Sequence, residues 1–147
     1  MNAGLALESA GILAACVIPA LADLNATHAT NPNWAPHARF HVVWQTLSYL
    51  LIAPVVLYVL WGADLPQSTR ATLGGAFGLA VLGGFFAAVL SRNRYGGHLA
   101  DANGYKPLRM RIGDRVVAID VNACTFAVAA VLLIGGWALA LAAGEPA

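Results

Sequence analysis

Charge is what this chain lacks. Only 10% of its 147 residues are Asp, Glu, Lys or Arg, where an ordinary soluble domain carries about 25%. With 59% hydrophobic residues, too little polar surface remains to cover a water-soluble globule, and the composition points to a membrane protein. A formal net charge of +1 leaves no electrostatic footprint for nucleic acid, and that partner class is excluded. Cysteine is almost absent. Cys16 and Cys124 each fall inside an apolar run, with no CxxC and no Cys/His ligand spacing, so both are expected to pack as small buried apolar residues. Basic residues are missing from Met1 to Leu7. Ala20-Leu21-Ala22 resembles a signal-peptidase site, but without a basic n-region a retained first helix is expected. No internal repeat is evident.

What is present is four long apolar runs, each near the roughly 20 residues needed to cross a hydrocarbon core. They extend from about Leu5 to Ala22, Val42 to Ala63, Ala71 to Leu90 and Val121 to Ala143. An all-α, four-helix transmembrane bundle is expected, forming a single integral membrane domain over residues 1–147. The connection between spans one and two carries Arg39, and that between spans three and four carries Arg92, Arg94, Lys106, Arg109, Arg111 and Arg115. The opposite side has only Arg70. The positive-inside rule then places both larger loops in the cytoplasm and both termini outside, in a cell inner membrane. Trp34, Trp44 and Trp61 lie near span ends, where aromatic belts form. The alternation Arg109, Met110, Arg111, Ile112 before Gly113-Asp114 predicts a small hairpin between spans three and four. An isolated hairpin is marginal in water, so it is expected to lean on the bundle or the headgroups; alternatively, its arginines make a contact with anionic lipid. Gly74–Gly78 and Gly136–Ala140 form small-residue faces, suited either to packing within the bundle or to a homo-oligomer.

Polar residues are concentrated in one stretch, Asp23 to His41, which holds three of the four histidines. Ionisable groups in lipid are costly and tend to be functional. Pro32 and Pro36 fit only before a helix or in its first turn, so helix two should begin near Pro36. His37 and His41 then share one face, with Gln45 a turn deeper and Ser48 beside it, and that stripe should point into the bundle. Asp23, Asn25, Thr27 and His28 from the end of span one, and Asp120, Asn122 and Thr125 from the start of span four, should lie at the same level. His98 and Asp101 sit on a loop, Ser91 to Tyr105, that could fold over them. Glu8 lies on the far side, where it is expected to snorkel or pair. Asn25-Ala26-Thr27 matches a glycosylation sequon but falls on a loop expected to be cytoplasmic.

Two chemistries fit this set. As acid and base, His37 and His41 would move protons on a lipophilic small molecule, with Asp23 orienting one of them. Arg39, Gln45, Asn25, Trp34 and Asn122 would hold the substrate. As ligands, His28, His37 and His41 would bind a single divalent metal, iron or zinc. The His-x8-His-x3-His spacing matches no tight motif such as HExxH, and four histidines are too few for a membrane di-iron centre. The structural alternative is that the same groups cap helix ends and bond one another. A carrier remains an alternative to an enzyme, though span two is apolar from beyond Ser48 to Trp61. An assembly subunit of a membrane complex is the third.

The run from Ala22 to Gln45 resembles the signature of an uncharacterised family of small four-span membrane proteins: Asp-x-Asn-x-Thr-His, then Asn-Pro-x-Trp-x-Pro, then His-Ala-Arg-Phe-His and a Gln. The resemblance covers about a sixth of the chain; it implies the four-helix architecture and singles out Asp23, Asn25, Thr27, His28, Asn31, Pro32, Trp34, His37, Arg39, Phe40, His41 and Gln45. It implies no reaction. A looser likeness, in architecture alone, is to the sterol-isomerase-like membrane fold.

Overall fold

Four helices account for most of the chain: α1 Ala3–Asp23, α2 Pro36–Trp61, α3 Gln67–Ser91 and α4 Val121–Ala142. A computed structural model describes residues 2–100 and 104–144. All four helices are long and apolar enough to cross a membrane. Their starts follow local chemistry. The side chains of Asn2 and Asp120 accept from the N–H groups of Leu5 and Ala123, capping α1 and α4. Pro36 opens α2 where its missing N–H costs nothing, as its position predicts.

Successive helices run antiparallel, and α1 packs against all three others, most closely along α4. Gly4 faces Ala140, Gly11 faces Leu133, and Gly136 faces the backbone of Glu8. A Cβ at any of these positions would overlap backbone of the opposing helix, so glycine is what permits the approach. The core behind this seam contains Ile12, Cys16, Val56, Leu60, Leu82 and Leu133. Gly74, Gly75 and Gly78 are filled from within the chain by Leu60, Trp137, Ile12 and Leu133, whereas Gly83, Gly84 and Gly135 face open space.

Between α3 and α4, strands β1 (Leu108–Ile112) and β2 (Arg115–Ile119) pair antiparallel, with Gly113 at φ 61° in the turn. The hairpin is the expected one, but its side chains are almost all exposed and it makes little contact with the helices.

Two expectations about the helices are corrected. Cys16 is buried, but Cys124 is exposed on the outer surface of α4. Glu8 does not snorkel: its side chain is 0% exposed, enclosed by α3 and α4. The cause is the α1–α4 seam, which turns this position inward. Among the described residues neither carboxyl oxygen has a hydrogen-bond partner; the Gly75 amide approaches but falls short of bonding geometry.

Candidate functional site

The described residues divide into a terminal end, where α1 starts and α4 finishes, and a loop end, which carries the 24–35 turn and the hairpin. At the loop end, α1 finishes in Asp23 and the chain folds on itself through side-chain hydrogen bonds. Asn25 is the keystone. Its Nδ2 donates to the carbonyls of Leu21 and Ala22 (3.2 and 2.9 Å), and its Oδ1 accepts from the Thr27 N–H at 2.8 Å. The N–H groups of Ala29 and Thr30 donate to the carbonyls of Asp23 and Asn25. Asn31, almost fully buried, donates to the Thr27 carbonyl at 2.9 Å and accepts from the Asn33 N–H. Short polar side chains thus replace the backbone partners lost when the helix ends.

This turn delivers His28 beside Asp23. The His28 Nδ1 lies 3.5 Å from Asp23 Oδ1 and 2.7 Å from Thr27 Oγ1. The two side chains are 24% and 27% exposed, sheltered yet reachable. An ionised carboxylate can only accept, so Asp23 favours the tautomer with the proton on Nδ1. That proton is shared toward Thr27, whose hydroxyl in turn reaches Asn25 Oδ1 (2.7 Å) or the Ala22 carbonyl (3.1 Å). In that tautomer Nε2 keeps its lone pair, with no partner among the described residues. Trp34 meets the ring edge-on, centroids 4.9 Å apart, and fixes its plane.

Asp23 and His28 open onto a cavity of about 420 Å³ between the helices. Most of its wall is apolar: Ile18, Pro19, Leu21, Phe85, Val121 and Phe126. Phe85 and Phe126 stack at 3.9 Å and close one side. Pro19 has no N–H, which deprives the Ala15 carbonyl of its intrahelical donor. The remaining polar groups are few. Gln45 Nε2 donates to the Tyr49 hydroxyl at 3.1 Å, Asn122 Nδ2 reaches the Leu99 carbonyl at 3.5 Å, and Thr125 bonds its own helix at Val121. Tyr105 reaches the cavity from the loop after α3. An apolar chamber with a few converging polar groups has the form of a small-molecule site.

Of the residues singled out by sequence, Asp23, His28, Gln45 and Asn122 line this cavity; His37, His41, Arg39, Asn25 and Trp34 do not. His37 and His41 do share one face, with Nε2 atoms 3.0 Å apart and rings nearly perpendicular. That face looks outward, among Phe40 and Trp44, which are 61% and 60% exposed. The reason is depth. At about 1.5 Å per residue α2 is roughly 39 Å long, against a hydrocarbon core of about 30 Å. The two histidines stand in the first two turns of a helix about 9 Å longer than that core, so the helix can carry them past the hydrocarbon, where the cost of charge in lipid does not turn them inward. Asp23 accordingly lies beside His28 and beside neither of them. His28, His37 and His41 are not gathered into one ligand set: the described residues contain no group of three or more His, Cys, Asp or Glu able to hold a metal. Asn25 builds the turn, Arg39 is half-buried on α2, Ser48 bonds the Trp44 carbonyl, and Asp120 is a cap. His98 lines a smaller hollow with Arg92 and Tyr95, and Asp101 lies outside the described residues.

Sequence reasoning passed over Tyr49 and Pro19. Tyr49 stands four residues after Gln45, so extending the polar stripe one turn further would have found it. Pro19 was visible as a proline inside an apolar run.

No curated protein and no solved structure matches the chain. A family model does match, over residues 7–123, which takes in the Asp23–His28 turn, the cavity lining except Thr125 and Phe126, and the first three helices apart from the opening residues of α1. The chain belongs to a family of unknown function, DUF6640.

Proposed function

We propose that this is a membrane-embedded enzyme acting on a lipophilic small molecule, with His28 as the proton-transfer group. The side concerned is the one that the basic loops mark as cytoplasmic. The observation that carries the reading is the Asp23–His28 pair facing a mostly apolar chamber. A histidine titrates near neutrality, and a carboxylate on one nitrogen holds the tautomer and stabilises the imidazolium formed when the other takes a proton. Gln45, Tyr49 and Asn122 supply the hydrogen bonds that would orient a polar head, while Phe85, Phe126 and Ile18 hold an apolar body. Trp34 and Thr27 are positioning residues, acting through the His28 ring.

The test is mass spectrometry of small molecules bound to the purified protein and of those accumulating in cells. Thr125→Trp, which puts an indole into the cavity, should strip the bound molecule while leaving the helical spectrum intact. His28→Gln should retain binding yet let unreacted substrate accumulate. If His28→Gln cells match wild type while Thr125→Trp cells do not, the chamber serves a carrier and the enzyme reading fails. If neither variant changes anything, the cavity is not a ligand site.

A further inference from the structure

The 108–119 hairpin has two unlike faces. Leu108, Met110 and Ile112 lie opposite Ile119, Val117 and Arg115 across the two strands, while Arg109 and Arg111 lie opposite Ala118 and Val116. Cross-strand partners project to the same side. One face is therefore apolar apart from Arg115 at its turn end, and the other carries two arginines. Leu108, Met110 and Ile112 are 53%, 51% and 60% exposed, and among the described residues no helix packs closely over them. A two-stranded sheet with a bare apolar face does not hold itself together in water.

We propose that the hairpin beds this face into the leaflet at the loop end and that anionic phospholipid headgroups of that leaflet are its partner. Position supplies the first argument. β2 ends at Ile119 and α4 starts at Val121, so the hairpin's base is joined through the Asp120 cap to a helix able to cross the membrane. Its tip is five residues away, at most roughly 17 Å at a strand's rise. The hairpin cannot leave the membrane surface by more than that. Charge supplies the second. Residues 106–119 hold Lys106, Arg109, Arg111 and Arg115 against the single acid Asp114. The arginines on the upper face act over about one Debye length, ~10 Å at 0.1 M salt, which is long enough to reach phosphates around the edge of a hairpin bedded in this way. Each such basic group adds to the attraction toward an anionic leaflet. The apolar face alone would accept any lipid; the basic residues make the choice.

Hydrogen exchange of the full chain in lipid nanodiscs tests this. In discs of about one-third phosphatidylglycerol, hairpin amides should exchange at least about tenfold more slowly than in all-phosphatidylcholine discs. In about 0.5 M salt, where the Debye length falls to roughly 4 Å, that difference should collapse. Arg109→Gln with Arg111→Gln should lose most of it. Met110→Asp with Ile112→Asp should leave the hairpin fast in both discs, with helix amides unchanged as the control for folding. Equal hairpin exchange in the two disc types, whether fast or slow, overturns the proposal. So does protection that persists in the two-aspartate variant.

Discussion

Gly136→Ala and Gly135→Ala make the same substitution at adjacent residues of one helix, and the structure expects them to differ. A Cβ at position 136 would collide with the Glu8 amide nitrogen and lie 2.7 Å from both Glu8 Cα and the Gly4 carbonyl oxygen. At position 135 it would meet nothing within 4 Å. Ordinary carbon contacts begin near 3.4 Å, so α1 and α4 would have to part by about 1 Å, a gap at which each contacting pair forfeits a quarter to a half of its attraction. Overpacking of this kind costs about 1–3 kcal/mol. Alanine also gains about 1 kcal/mol of helix propensity over glycine, equally at both sites. Propensity therefore cancels in the difference between the variants, leaving the seam penalty alone. Gly135→Ala should be neutral or stabilising by up to about 1 kcal/mol, and Gly136→Ala should fall about 1–3 kcal/mol below it. Equilibrium unfolding in mixed micelles, followed by helical circular dichroism, measures this. A separation under about 0.5 kcal/mol, within the ordinary spread for surface sites, would refute the claim that these two helices meet backbone to backbone.

Other substitutions probe the polar groups. Glu8→Met removes a buried carboxyl with no partner and keeps its bulk, so stability should rise by about 1–3 kcal/mol; a loss in the same unfolding assay would mean that the carboxyl has a partner after all. Asn25→Ala removes the donor to two carbonyls and the acceptor for Thr27, and should cost about 1–3 kcal/mol; it should also shift the His28 ring resonances in nitrogen-15 spectra, and unmoved resonances would count against the turn as what holds the ring. The His37 and His41 Nε2 atoms, 3.0 Å apart, match the ~2.9 Å bite of cis nitrogens around an octahedral or square-planar metal. Untagged protein should therefore bind one copper(II) or nickel(II) per chain more readily than tetrahedral zinc. Titration should show that binding lost in His37→Ala and in His41→Ala and kept in His28→Ala; retention in the double variant refutes it.

Much of the architecture was legible because a bilayer leaves few solutions. A run of about 20 apolar residues must satisfy its own backbone, so length and hydropathy give the helices directly. Pro36 marked the start of α2, and the Gly113-Asp114 pair marked the hairpin, since each restricts the backbone locally. The site was legible only as a level, not as a set of neighbours. Asp23, His28, Gln45 and Asn122 were named from topology and do share a cavity. What failed was the inference from depth to facing. His37 and His41 were assigned inward on the cost of charge in lipid, but they face outward, and α2 is longer than a hydrocarbon core is thick, so that cost need not reach its first turns. Asn25 shows the complementary error: a polar side chain beside a helix end satisfies the backbone before it serves a ligand.

The position of the cavity follows from where the small residues stop. Gly4 and Gly11 on α1, Gly74, Gly75 and Gly78 on α3, and Gly136 on α4 all meet an opposing helix closely, and all lie between the terminal end and mid-span. There the helices are drawn together and tied by long side chains. Trp61 donates to Ser9 at 2.8 Å, and Gln67 donates to the carbonyls of Ala140 and Gly144 at 3.0 and 2.9 Å. Toward the loop end the pattern reverses. Gly83 and Gly84 have open space beside them, and the inward positions pass to Pro19, Tyr49, Phe85 and Phe126. Bulky residues fill the inward positions there that glycine fills at the clamped end, and the chamber lies among them. Closing it would cost the Phe85–Phe126 stack; opening the clamped end would expose Glu8. Packing thus places the cavity at the end where Asp23 and His28 stand.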